Sequence, residues 1–171
     1  MKRRVVSLGL ILALISMTLL PSIGSAAASP QSQPGLQIPI TFTSANGAFT
    51  GVFTLSRFVT QNGQLAAVGT LTGTVTNATG QTVGAVARNL TLSLINISAT
   101  CDILHLELGP LDLNLLGLVV HLDKIVLDID AQSGPGNLLG NLLCAVANLL
   151  NSGGPLSQVV NLLNQILGIL G

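Results

Sequence analysis

Six side chains between positions 105 and 130 have types and spacings that suit chemistry: His105 and Glu107, His121 and Asp123, then Asp128 and Asp130. Alternate residues of an extended strand project to one side, so each histidine shares a side with a carboxylate two residues on. Were the two stretches to pair in register, two imidazoles and two carboxylates would converge as metal ligands, the constellation of a metal-dependent hydrolase. The wet face of a sheet uses the same residue types with no chemistry at all. The spacing matches no helical His-Glu-x-x-His and no calcium loop at Asp123, Asp128 and Asp130. There is no Gly-x-Ser-x-Gly elbow and no phosphate or dinucleotide loop. We therefore assign no catalytic, metal-ligating or cofactor-binding residue, expect no cofactor, and expect the chain not to be an enzyme.

The two cysteines, Cys101 and Cys144, are the entire thiol inventory. The chain opens with Lys2, Arg3 and Arg4, an uncharged apolar run from Val5 to Leu20, Pro21, and a small-residue tail ending at Ala28. This is the pattern of a secretory signal peptide over residues 1–28, with Ala26 or Ala28 as the last residue removed. In an oxidising compartment the expected state of the lone thiol pair is one Cys101–Cys144 disulfide. Its 43-residue separation would remove about 4 kcal/mol of unfolded-chain entropy. The expected location is secreted, periplasmic or at the cell envelope.

Composition narrows the partners. Once Lys2, Arg3 and Arg4 leave, three basic residues (Arg57, Arg88, Lys124) stand against six acidic ones, a net charge of −3. Such a chain has no electrostatic footprint for phosphate backbones, so nucleic acid is excluded. Charged residues are 7% of the whole, against about a quarter in ordinary domains, so solubility must come from Thr, Ser, Asn and Gln. The late apolar segments Leu138–Leu150 and Leu156–Leu170 fall short of the ~20 residues a membrane span needs. No span is expected in the mature chain.

The elements that must position these residues follow from periodicity. Residues 29–35, with Pro30, Pro34 and Gly35, read as a flexible leader, and 36–171 as a single domain. From 36 to 130 the chain is β-rich. Asn46-Gly47, Asn62-Gly63 and Asn77-Ala78-Thr79-Gly80 separate runs in which Thr alternates with apolar residues. That is a hairpin signal, because both central residues of a type I′ turn need positive φ. Leucine parity flips after Gly109-Pro110 and again near Asp123-Lys124, marking bends or turns. From 137 to 170 the period becomes helical: Asn137 is placed to cap a helix to about Asn151, and Leu156–Leu170 forms a second after Ser-Gly-Gly-Pro. The expected fold is α+β, an antiparallel β-meander of about six to eight strands followed by a C-terminal αα-hairpin packed on the sheet. Cys144 lies on the small, polar face of its helix, so a bridge to Cys101 would turn that face to the sheet. The leucine face would then meet the second helix or a foreign surface; alternatively, both leucine faces are buried in an ordinary core.

The run Leu111–Leu150, with Gly134-Pro135-Gly136-Asn137-Leu138-Leu139-Gly140-Asn141-Leu142-Leu143-Cys144 within it, resembles segments of small exported bacterial proteins of uncharacterised function. The resemblance covers the C-terminal third and implies envelope or extracellular placement, with no activity or site residue to carry over. Three functions remain as expectations. The first is a non-enzymatic structural or interaction domain with an envelope component, or a second copy of itself, as partner. The second is a carrier holding an apolar, lipid-like molecule between sheet and leucine helices. The third is the metal-dependent hydrolase above.

Overall fold

The computed structural model describes residues 35–171. The expected signal peptide and all of the leader except Gly35 lie outside the described residues. Eight strands come first, β1 (Leu36–Ser44), β2 (Gly47–Gln61), β3 (Gln64–Asn77), β4 (Thr82–Ala99), β5 (Ile103–Leu108), β6 (Leu111–Leu115), β7 (Leu118–Leu122) and β8 (Ile125–Asp130). Two helices follow, α1 (Leu138–Asn151) and α2 (Leu156–Leu170). The fold is α+β: a curled antiparallel sheet of order β1-β2-β3-β4-β5-β8, a separate β6-β7 ribbon, and the helices packed on the sheet.

Turn chemistry explains most of the meander and corrects one detail. Asn62 and Gly63 both take positive φ, 52° and 75°, so β2 and β3 meet in the expected two-residue loop. At the first hairpin the loop is Ala45-Asn46, one residue earlier than the Asn46-Gly47 signal suggested, because Ser44 pairs with Gly47. There the Ser44 hydroxyl donates to the Gly47 carbonyl at 3.2 Å and accepts from the Asn46 N–H at 3.3 Å. A serine-stabilised turn takes the place of the type I′ one. At the third, the Asn77 side-chain oxygen accepts from the Thr79 N–H, the Thr79 hydroxyl and the Gln81 N–H, while Gly80 supplies the left-handed residue.

Strand β4 is long because it serves two neighbours in succession. Its residues 82–93 pair with β3, with a slip at Val83, and Leu94–Ala99 pair with β5, with a slip between Leu94 and Asn96. The curl is built into β2 and β3, where Gly51 faces Gly73 and the Phe49 ring covers both. A Cβ on either glycine would run into that ring, an aromatic cover that packs the gap the glycines leave.

The core is a single apolar cluster drawing on strands, ribbon and helices alike. Among the described residues no polar or charged side chain is buried. Phe49, Phe53 and Phe58 are all buried, matching the core role that strand placement gives an aromatic. The leucine faces of the helices are inside too. Leu142, Leu143 and Val146 of α1 are buried, as are Val159, Leu163, Ile166 and Leu167 of α2. The α1 leucine face meets the second helix and, with it, the protein's own core, with Leu138 left outside. Asn137 precedes α1 without making a side-chain cap bond. Instead the Asn141 amide clasps Gly134, accepting from its N–H and donating to its carbonyl, both at 3.0 Å.

One polar contact fixes α2 on the sheet. Because β1 begins opposite Leu55, the end of β2 beyond the slip at Ser56 has no partner strand on that side. The Asn164 side chain fills this role at Phe58, accepting from its N–H at 2.7 Å and donating to its carbonyl at 3.0 Å. A carboxamide thus stands in for the missing strand. Replacing it strands two half-buried backbone groups, so Asn164→Leu should lower unfolding free energy by about 2 kcal/mol. Urea denaturation checks this, and an unchanged midpoint would refute the role.

Candidate functional site

The two histidines lie in different sheets. His105 is on β5 and faces Asp128 of β8 in the ladder, while His121 is on β7 and faces Asp112 of β6. His105, Glu107, His121 and Asp123 therefore do not form one cluster. Among the described residues no group of three or more His, Cys, Asp or Glu has the geometry to hold a metal ion.

Each histidine sits in its own carboxylate pair. His105 Nδ1 lies 2.5 Å from Asp128 Oδ1, and its Nε2 lies 3.5 Å from Glu107 Oε1. Glu107 also accepts from Lys124 Nζ at 2.5 Å. The result is a chain of four groups, Asp128–His105–Glu107–Lys124, across the outer side of β5 and β8. The hydrogen bond that the ring donates to Asp128 raises the His105 pKa above its ordinary 6.5, against a partial desolvation that lowers it. The Lys124 ammonium, and then His105, lower the Glu107 pKa from its ordinary 4.5. His121 is raised in the same way by its bond to Asp112, with Asp123 more distant at 3.9 Å. Both ring nitrogens of His105 lie near carboxylates, which favours the protonated ring, a donor at both nitrogens. What the arrangement does is pin neighbouring strands in register.

Asp112 and Lys124 are the partners that residue spacing alone passed over. Leu116 and Gly117 take φ values of 55° and 91°, so 116–117 is a two-residue turn that sets Leu115 opposite Leu118 and, by counting, Asp112 opposite His121. A leucine in the left-handed region carries no turn signature, and the parity flip it causes merged with the one at Asp123-Lys124.

The cysteines are joined as expected: Cys101 and Cys144 form a disulfide, and there is no other cysteine. The bridge ties the loop after β4 to the small face of α1. Gly140 lies one turn earlier on α1, where a Cβ would strike the Gln132 carbonyl, so the helix sits directly on the chain that leads into it. Between α2 and the sheet, eleven apolar side chains, including Leu55, Phe58 and Leu104, leave a cavity of about 10 Å³. No described helix is long and apolar enough to cross a membrane.

A scan against family models and searches of curated proteins and of solved structures return no match to this chain.

The histidine environments predict a pH dependence of defined sign. A raised histidine pKa contributes stability that is complete below 6.5 and lost as pH rises through the folded value. The depressed Glu107 contributes above 4.5 and loses its share as pH falls through its folded value. Both contributions coexist between 4.5 and 6.5, where the melting temperature should peak; NMR titration should place His105 above 6.5 and Asp128→Asn should lower it. A His105 midpoint at or below 6.5 would refute the pairing.

Proposed function

We propose that the chain is an exported, non-enzymatic structural or interaction domain of the cell envelope or extracellular space. One observation carries the reading over the alternative of an apolar-ligand carrier. Ligand pockets typically occupy about 300–1,000 Å³, whereas the space between α2 and the curled sheet amounts to about 10 Å³. The side chains that would line a lipid site already touch one another. The metal-dependent hydrolase is disfavoured by the separation of the two histidines onto different sheets. Export rests on the pattern of residues 1–28 and on the disulfide, which suits an oxidising compartment. With few charges and no ligand-sized cavity between α2 and the sheet, binding would depend on sheet surface and sheet edge.

Native mass spectrometry of the protein purified from its own cells tests this. The expected spectrum shows the oxidised chain starting at Ala27 or Ser29, in the envelope or medium fraction, free of lipid-sized adducts and of stoichiometric metal. A stoichiometric lipid adduct would establish the carrier instead. Bound metal that disappears in His105→Ala and His121→Ala variants would establish the hydrolase. A cytosolic chain that retains Met1 would remove the export reading.

A further inference from the structure

The stretch of β4 from Val83 to Thr91 is a sheet edge that the rest of the molecule leaves open. On one side it pairs with β3; on the other, β5 joins only from Leu94. The last contact on that side is the Ser93 carbonyl, which accepts from the Gly109 N–H at 2.7 Å before Pro110 turns the chain away. That bond sets the phase of the edge. The N–H and C=O of one residue in an antiparallel strand point the same way, and successive residues alternate. The β3–β4 ladder runs without a slip from Ser93 to Gly84. Ala85, Ala87, Asn89 and Thr91 thus aim both backbone groups outward with Ser93. Among the described residues no loop or turn bond reaches any of the four.

The other edges of the six-stranded sheet carry protection. Strand β1 contains Pro39, β8 is six residues long with Asp128 and Asp130, and the open end of β2 receives Asn164. Proline, charge, shortness and side-chain cover are the usual ways to block strand addition. The β4 edge has a single charge, Arg88, and no proline. Beside it sits an unexplained leucine. Leu116 is 54% exposed, takes a left-handed φ that costs a bulky side chain energy, and lies over Gly84 with its Cδ1.

We infer that this edge pairs with the same edge of a second copy of the chain, antiparallel about a two-fold axis at Ala87. The inference rests on the reading of the protein as an interaction domain and names its partner and surface. In that register Ala85 faces Asn89 on either side of the axis, outward-pointing backbone groups meet outward-pointing ones, and side-chain faces are preserved. Arg88 lies opposite Val86 of the second copy, not opposite its counterpart, which a register centred on Arg88 would impose as a like-charge clash. Gly84 lies opposite Leu90 of the second copy. The space over Gly84 that Leu116 reaches into is then shared by two leucines, which accounts for both the glycine and the exposed leucine. The four strands β1–β4 of each copy merge into one continuous sheet. This is an isologous closed contact, so it stops at a dimer.

Sedimentation equilibrium of the purified, oxidised protein tests the pairing. The wild type should show a concentration-dependent monomer–dimer equilibrium. Ala87→Lys sets two ammonium groups directly opposite each other at the axis and should weaken association about tenfold or more. Asn89→Lys, a second exposed edge position, should weaken it in the same direction. Thr72→Lys, on the same outer face but on β3, should leave it unchanged. Circular dichroism on dilute samples checks that each variant is folded. A wild type that stays monomeric at millimolar concentration, or a dimer indifferent to both edge lysines, would overturn the inference. The broader interaction-domain reading would be untouched by that result, since it fails instead on a bound lipid or metal.

Discussion

The apolar face of α2 against the concave side of the sheet is the contact on which the rest of the structure depends. The six-stranded sheet curls but does not close: β1 and β8 are its first and last strands and do not pair. An open curl would expose Leu36 and Leu55 on one flank and Leu104, Leu106, Leu127 and Ile129 on the other. Leu163, Ile166, Leu167 and Leu170 of α2 fill the gap between these flanks, and one small cavity remains. The hydrophobic effect drives this insertion without direction. The Asn164 clasp on Phe58 supplies the direction, fixing how far along β2 the helix sits.

Other features follow from that plug. With charged residues at 7%, the molecule cannot separate inside from outside by charge and uses threonine, asparagine and glutamine instead. The outer face of β3 shows the device: Thr70, Thr72, Thr74 and Thr76 alternate with the inward Leu71 and Val75. The few ions are then free to do a local job, holding β5 to β8 and β6 to β7 from the wet side. The Cys101–Cys144 bridge holds α1, and α1 holds the start of α2 through a short Gly-Gly-Pro connection. A covalent tether on the first helix thereby raises the local concentration of the second at the mouth of the sheet.

The fold was legible in the sequence where local chemistry and long-range packing agree. Asn62-Gly63 and the 138–151 and 156–170 helices are such cases, because turn residues and apolar period both point one way. The disulfide was legible because only two cysteines exist. What stayed hidden depended on contacts distant in the chain. Leu116-Gly117 forms a turn with no favourable residue at its first position, so the β6-β7 ribbon and its Asp112–His121 pair could not be read from spacing. Whether His105 and His121 converge was likewise a matter of strand order: β8 takes the place beside β5, and β6 and β7 form a sheet of their own. Asn137 matched a capping pattern, yet the Asn141–Gly134 clasp does the local work. The role of Asn164 has no signature at all, since its partner Phe58 lies 106 residues away.

If α2 truly completes the sheet, helix and strands cannot come apart separately. Native-state hydrogen exchange of the oxidised protein measures this residue by residue. The amides of Leu163, Ile166 and Leu167 should open with the same free energy, and the same denaturant dependence, as those of Phe53 and Leu71 in the centre of the sheet. Helix amides that exchange through a cheaper opening of their own, while the strand amides stay protected, would show a sheet that stands without its plug and would contradict the account.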